Sequence, residues 1–221
     1  MFALLRYLLA DVLKSHRYFP PVFLYLLVSG IFDARGDSGA ALNAYGASAL
    51  VLYPVGAWLA VTVANAEDNT QRGITATAAG GWRRLTAAVA ILSMAGLMPL
   101  VLVSTVWPAI TTAHPYRFTE LAVGFAAQLA CGWTGIAVGV LLGRPVVRKI
   151  GWSMLAIAAV VVLTYQFGRI PPVGSMIGLL GNVPPTMASA AATVLESLAI
   201  AVVLVVGVVL GVSEVAGRRG Q

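Results

Sequence analysis

The chain has 221 residues, 59% of them hydrophobic and 10% charged, with a net charge of +6 and a mean hydropathy of +0.89. A soluble domain carries roughly 25% charged residues, so a soluble fold is excluded, and the long unbroken apolar runs exclude a transmembrane barrel of alternating strands. What is left is an all-α membrane protein, each span of which needs about 20 apolar residues.

Residues 1–17 place Phe2, Leu5, Leu9, Val12 and Leu13 at helical spacing, with Arg6, Asp11 and Lys14 mostly on other faces. That pattern predicts an amphipathic helix lying in the membrane interface. The same charges break the first apolar stretch, so no cleavable signal peptide is expected. Pro20 and Pro21 suit the first turn of a new helix, and span one is expected over 19–32. Residues 33–43 read as a polar turn. Span two is expected over 44–64, with Pro54 inside it.

Residues 64–85, ANAEDNTQRGITATAAGGWRRL, are the longest polar interruption in the chain. They carry Glu67, Asp68, Arg72, Arg83 and Arg84, with glycines at 73, 80 and 81. A short helix is expected around 67–73, capped by Asp68 or Asn69 and ended by Gly73 or Gly80. Span three is expected over 85–107, a short loop with His114 and Arg117 over 108–119, and span four over 120–142. Gly132, Gly135, Gly139 and Gly143 give span four a small-residue surface for close helix approach, within the chain or between copies. Span five is expected over 150–167. Residues 169–187 are apolar but bracketed by Pro171-Pro172 and Pro184-Pro185, too broken to cross, and are expected to dip into the membrane and return. Span six is expected over 188–212, with Gly207 and Gly211 as a further small pair. The lone Cys131 lies in an apolar run and reads as a packing residue.

Six spans put both termini on one side. Of the 14 Lys and Arg residues, eleven then share that side: Arg6, Lys14, Arg17, Arg72, Arg83, Arg84, Arg144, Arg148, Lys149, Arg218 and Arg219. Arg35, Arg117 and Arg169 fall on the other. The positive-inside rule assigns both termini and the 66–84 loop to the cytoplasm. Bases at span ends mark topology, so nucleic acid is not an expected partner.

No catalytic constellation is present in the sequence. His16 and His114 are far apart, no cluster of metal ligands exists, and there is no GxxxxGK[ST] phosphate loop. Polar residues expected within the spans are few. Glu196 is the one carboxylate well inside an apolar run, and such groups carry a functional hypothesis because they cost about 3 kcal/mol at membrane depth. Glu196, Gln128 and Gln166 are therefore candidate pathway residues. The plainer alternatives are a helix-start carboxylate for Glu196 and interhelical hydrogen bonding for the two glutamines.

An amphipathic N-terminal helix, six spans, a charged loop between spans two and three and a re-entrant segment between spans five and six together resemble the permease subunit of an ABC type 2 exporter. The local feature closest to that family is Glu67-Asp68 followed by Gln71-Arg72-Gly73. By that resemblance Glu67, Asp68, Gln71, Arg72 and Gly73 belong to a coupling helix that seats in a separate ATPase, and 1–17 is the connecting helix beside it. The resemblance further implies two ATPase copies that hold the ATP and Mg, a second permease, identical or related, and residence in a bacterial cytoplasmic membrane. No cofactor is expected on this chain itself. The other readings are a non-transporting scaffold or immunity-type membrane subunit, and an ion-driven carrier using Glu196.

Overall fold

The computed structural model describes residues 1–34, 41–111, 117–144, 146–147, 149–167, 171–181 and 187–219. Arg35, His114, Arg148, Arg169, Pro184 and Pro185, on which parts of the sequence reading fell, lie outside them. Among the described residues the chain is helical throughout: α1 (Phe2–Ser15), α2 (Phe19–Ala34), α3 (Ala41–Ala64), α4 (Asn69–Ala78), α5 (Trp82–Thr111), α6 (Phe118–Leu142), α7 (Ile150–Phe167), α8 (Val173–Gly181) and α9 (Met187–Arg219). Among the described residues, five helices are long and apolar enough to cross a membrane: α3, α5, α6, α7 and α9. The apolar part of α2, Phe19–Phe32, is shorter.

Several boundaries differ from the sequence reading: α3 begins at Ala41, within the expected polar turn, and α5 runs through Pro108 to Thr111, into the expected loop. Helix α5 begins at Trp82, so Arg83 and Arg84 form its first turn instead of ending a loop. Helix α9 begins at Met187 and runs to Arg219, which takes in the basic tail. Glu196 therefore sits in the third turn of α9, too far from the helix start for a first-turn carboxylate.

The core is the seam between α3 and α6, and glycine sets its closeness. A Cβ on Gly56 would stand 2.5 Å from the Gly132 carbonyl oxygen. A Cβ on Gly135 would collide with the carbonyl of Tyr53, and one on Gly139 with the carbonyl of Ala57. Gly124 leaves room for the Tyr45 ring, which a Cβ would meet at 2.5 Å, and Gly143 lies against Ala64. Residue numbers rise together along both helices, so α3 and α6 run parallel with backbones nearly touching. Lipid tails supply no hydrophobic drive between helices, and close van der Waals approach is what holds such a pair. The glycine series is thus occupied inside the chain and does not face a second copy. Gly207 and Gly211 on α9 are exposed, with open space where a Cβ would go.

Helix α3 passes through Pro54 without interruption. A proline removes the hydrogen bond to the carbonyl four residues earlier, which here is Leu50. The Tyr165 hydroxyl of α7 donates to that carbonyl. Tyr53 also meets α7, its hydroxyl 3.2 Å from Thr164 Oγ1 and its ring edge-on to Tyr165 at 6.1 Å. Within a bilayer every freed backbone group needs such a partner, so α7 both packs against α3 and repairs it.

Candidate functional site

Four segments converge at one end of the bundle: the end of α1, helix α4 with its flanks, the turn after α6, and the paired ends of α5 and α9. Helix α4 is polar, and its limits follow from side-chain and backbone caps. Asp68 is the N-cap, its carboxylate accepting from the Gln71 amide at 2.7 Å. At the other end Gly81 N–H donates to the Ala76 carbonyl at 2.8 Å and Gly80 adopts φ +84°. That is the 6→1 closure that ends helices on a left-handed glycine. Gly80 therefore ends the helix. Gly73 lies in its interior, so the expectation that it might end the helix is not met.

The coupling residues proposed from sequence divide into two groups. Glu67 and Arg72 are each 5% exposed and face inward. Thr75 Oγ1 donates to Glu67 Oε1 at 2.6 Å, holding the residue before the helix to its second turn. The Arg72 guanidinium donates to the Ala64 carbonyl and, at 3.0 Å, to the Arg144 carbonyl. Ala64 is the last residue of α3, and Arg144 follows the end of α6. The two parallel helices end side by side, each with a partial negative charge from its last carbonyls, and one cation spans both. Burial lowers the Arg72 pKa to about 10; the Glu67 carboxylate opposes that shift and Arg144 adds to it. The guanidinium remains charged at neutral pH. These two residues seat α4 on the α3–α6 pair and are not free to meet a partner, which revises the view that they present charge outward.

Asp68 and Gln71 are exposed, and Gly73 is half-buried with nothing within 4 Å of a Cβ position. Gln71 Nε2 donates to the Tyr7 hydroxyl at 2.5 Å, which ties α4 to α1. Arg17 donates to the Asn65 carbonyl at 3.1 Å, tying the end of α1 to the end of α3. Leu8 and Val12 bury one side of α1, while Phe2, Leu9 and Leu13 stay exposed, an arrangement suited to the membrane interface. Between α1 and α4 lies an open groove of about 630 Å³, lined by Leu4, Tyr7, Asp68, Gln71, Ile74 and Ala78 among others. Ile74 is 66% exposed, a large apolar side chain on the outer face of a polar helix. Sequence reading passed over Tyr7, Ile74 and Thr75. The signal for Ile74 was present, since an isoleucine interrupts a run of threonine, alanine and glutamine. Nothing local marks Tyr7 as a partner of a residue 64 positions away.

The candidate pathway residues do not converge. Gln128 is fully buried, and its amide oxygen accepts from Ser104 at 2.7 Å and Thr105 at 3.1 Å. Its amide nitrogen donates to Ser48 at 3.3 Å. It links α3, α5 and α6 as an interhelical hydrogen-bond centre. Gln166 and Glu196 are exposed on α7 and α9. Replacement of Gln128 by Leu should cost little, because Ser48, Ser104 and Thr105 each also bond a carbonyl on their own helix. Interhelical hydrogen bonds in membranes average about 0.6 kcal/mol, so a loss of about 1–2 kcal/mol is expected in reversible unfolding from lipid micelles. A loss above about 4 kcal/mol would mean that the network carries the fold.

Comparison with family models, with curated proteins and with solved structures returned no match for this chain.

Proposed function

We propose that this chain is the membrane-spanning permease subunit of an ATP-driven exporter of the ABC type 2 kind. The observation that carries the reading is the seating of α4. It is a short helix, capped at both ends, outside the spans, fixed by Arg72 to the ends of the two most closely packed helices. A helix held in this way transmits force, because it cannot tilt without moving α3 and α6. Its outward residues, Asp68, Gln71 and Ile74, together with Tyr7 of α1, form a groove with an apolar floor and polar sides, as a partner surface requires. Gly73 adds a point of close approach that the chain's own packing does not demand.

In this reading α2 is a sixth, short span, α8 lies in a re-entrant segment, and the end bearing α1 and α4 faces the cytoplasm of a bacterial cell. Two ATPase subunits hold the ATP and Mg, and a second permease, identical or related, completes the complex. The ion-driven alternative loses support, because Glu196, the carboxylate it relied on, is exposed and apart from Gln128.

The test is coexpression with candidate ABC ATPases from the same genome, followed by pull-down and measurement of ATP hydrolysis in lipid. Ile74→Glu changes an exposed position and should leave the permease folded. It is expected to cut ATPase association at least tenfold. Wild-type chain that fails to hold the ATPase, or an Ile74→Glu variant that holds it unchanged, would overturn the assignment.

A further inference from the structure

Two clefts lie end to end between the same two helices, α5 and α9. The first, of about 270 Å³, has only apolar walls, including Ala87, Ile91, Met94, Val202, Val206 and Leu210. The second, of about 400 Å³, is polar and lined by Gly80, Gly81, Trp82, Arg83, Glu214 and Arg218 among others. Ala87 follows Arg83 by four residues and Glu214 follows Leu210 by four, so the two clefts are one helical turn apart on both helices. Both open to the outside of the chain.

From this juxtaposition we infer that the α5–α9 cleft is a binding site for one anionic phospholipid. Its acyl chain occupies the apolar stretch and its phosphate meets Arg83 and Arg218. The dimensions agree: Trp82 to Met94 spans about 18 Å of helix, close to the roughly 15 Å thickness of one leaflet's hydrocarbon. The charge agrees as well. Arg83 and Arg218 are exposed at this mouth against the carboxylate of Glu214, which pairs with Arg83 at 2.5 Å. Trp82 lines the second cleft at the start of α5, a span-end position of the kind where indole rings favour the membrane–water interface. A transmembrane helix of a second chain fits the cleft less well. The apolar face of such a helix would cover the first cleft but bring no anion to the cationic mouth at Arg83 and Arg218. This inference depends on the helices spanning a membrane and not on the identity of any ATPase.

The test uses the full chain in nanodiscs of equal parts dioleoyl phosphatidylglycerol and dioleoyl phosphatidylcholine, with bound lipid counted by native mass spectrometry. The two lipids share their tails, so preference reports on the headgroup. Wild type should retain phosphatidylglycerol at least fivefold over phosphatidylcholine. Arg218→Gln should lower that ratio about fivefold, the effect of about 1 kcal/mol per basic group near an anionic surface. Arg83→Gln and Glu214→Gln break the same ion pair but should act in opposite directions, the first reducing retention and the second raising it. Val206→Trp, at a position 51% exposed, should displace both lipids by filling the apolar stretch. Equal retention of the two lipids by wild type would overturn the inference. So would ion-pair variants that shift retention the same way, or a Val206→Trp variant that changes oligomer mass with lipid retention intact.

Discussion

Gly135→Ala and Gly139→Leu should strongly destabilise the folded bundle. The added carbon has no rotamer by which to escape: at position 135 it meets the backbone carbonyl of Tyr53, and at 139 that of Ala57. Relief requires α3 and α6 to separate along the whole seam, because the same faces are in contact from Tyr45 with Gly124 to Ala64 with Gly143. Overpacking in well-packed interiors costs about 1–3 kcal/mol, more where the clash is with backbone. Separation of the seam also forfeits the van der Waals approach that holds helices together in lipid. A loss of about 4 kcal/mol or more is therefore expected for Gly139→Leu, most of the stability of a protein at the low end of the usual range of about 5–15 kcal/mol. The measurement is the thermal transition and monodispersity of purified protein in detergent. Gly207→Ala is the control: a Cβ there meets nothing within 4 Å, and the transition should stay near that of wild type. Equal behaviour of Gly139→Leu and Gly207→Ala would show that the seam does not govern the fold.

Arg72→Met should release α4 while leaving the bundle assembled. The substitution strips the carbonyls of Ala64 and Arg144 of a shared donor. It also leaves Glu67 buried beside a neutral side chain. Each unsatisfied buried group costs about 1–3 kcal/mol, more when charged, and removal of a buried cation from its partners costs about 3–5 kcal/mol. Because α4 lies outside the spans and is joined to them by few contacts, the cost falls on its docking and not on global stability. Backbone amides of Asn69–Ala78 should exchange with solvent about 100-fold faster, as expected for about 3 kcal/mol, while those of α3 and α6 are unchanged. Arg72→Lys should fall between, since an ammonium keeps the charge but not the fork that reaches two carbonyls. Unchanged exchange of the α4 amides in Arg72→Met would show that the bracket does not hold the helix. Under the exporter reading, the same variant should lose stimulated hydrolysis, because α4 no longer moves with the ends of α3 and α6.

Composition and periodicity determined the class of molecule. Long apolar runs with few charges have one stable solution in lipid, helices that satisfy their own backbone, and several of their ends fall where the sequence pattern places them. Helix α7 spans Ile150–Phe167, and α6 ends at Leu142, both where the sequence pattern placed them. The cap at Asp68 and the stop at Gly80 were legible too, because local backbone groups alone decide them. The boundaries at Arg83-Arg84 and the basic tail moved because charged residues extend a helix into water without penalty, while α5 also continued past Pro108 to Thr111. Hydropathy marks where lipid ends and not where hydrogen bonding does.

Which face each residue presents could not be read from a chain this uniformly apolar. The helical wheel of α3 or α6 has almost no polar side to point outward. The assignment of the glycines to an internal seam, the repair of the Pro54 gap by Tyr165 and the satisfaction of Gln128 by two other helices were decided by packing alone. The same holds for the loop. Glu67, Asp68, Gln71 and Arg72 are equivalent polar residues in sequence, yet two are buried and two exposed. The physical reason is that α3 and α6 end side by side, which creates a pair of helix C-termini in need of a cation. Only the three-dimensional meeting of segments 72 positions apart makes Arg72 that cation and leaves Asp68, Gln71 and Ile74 as the outward face.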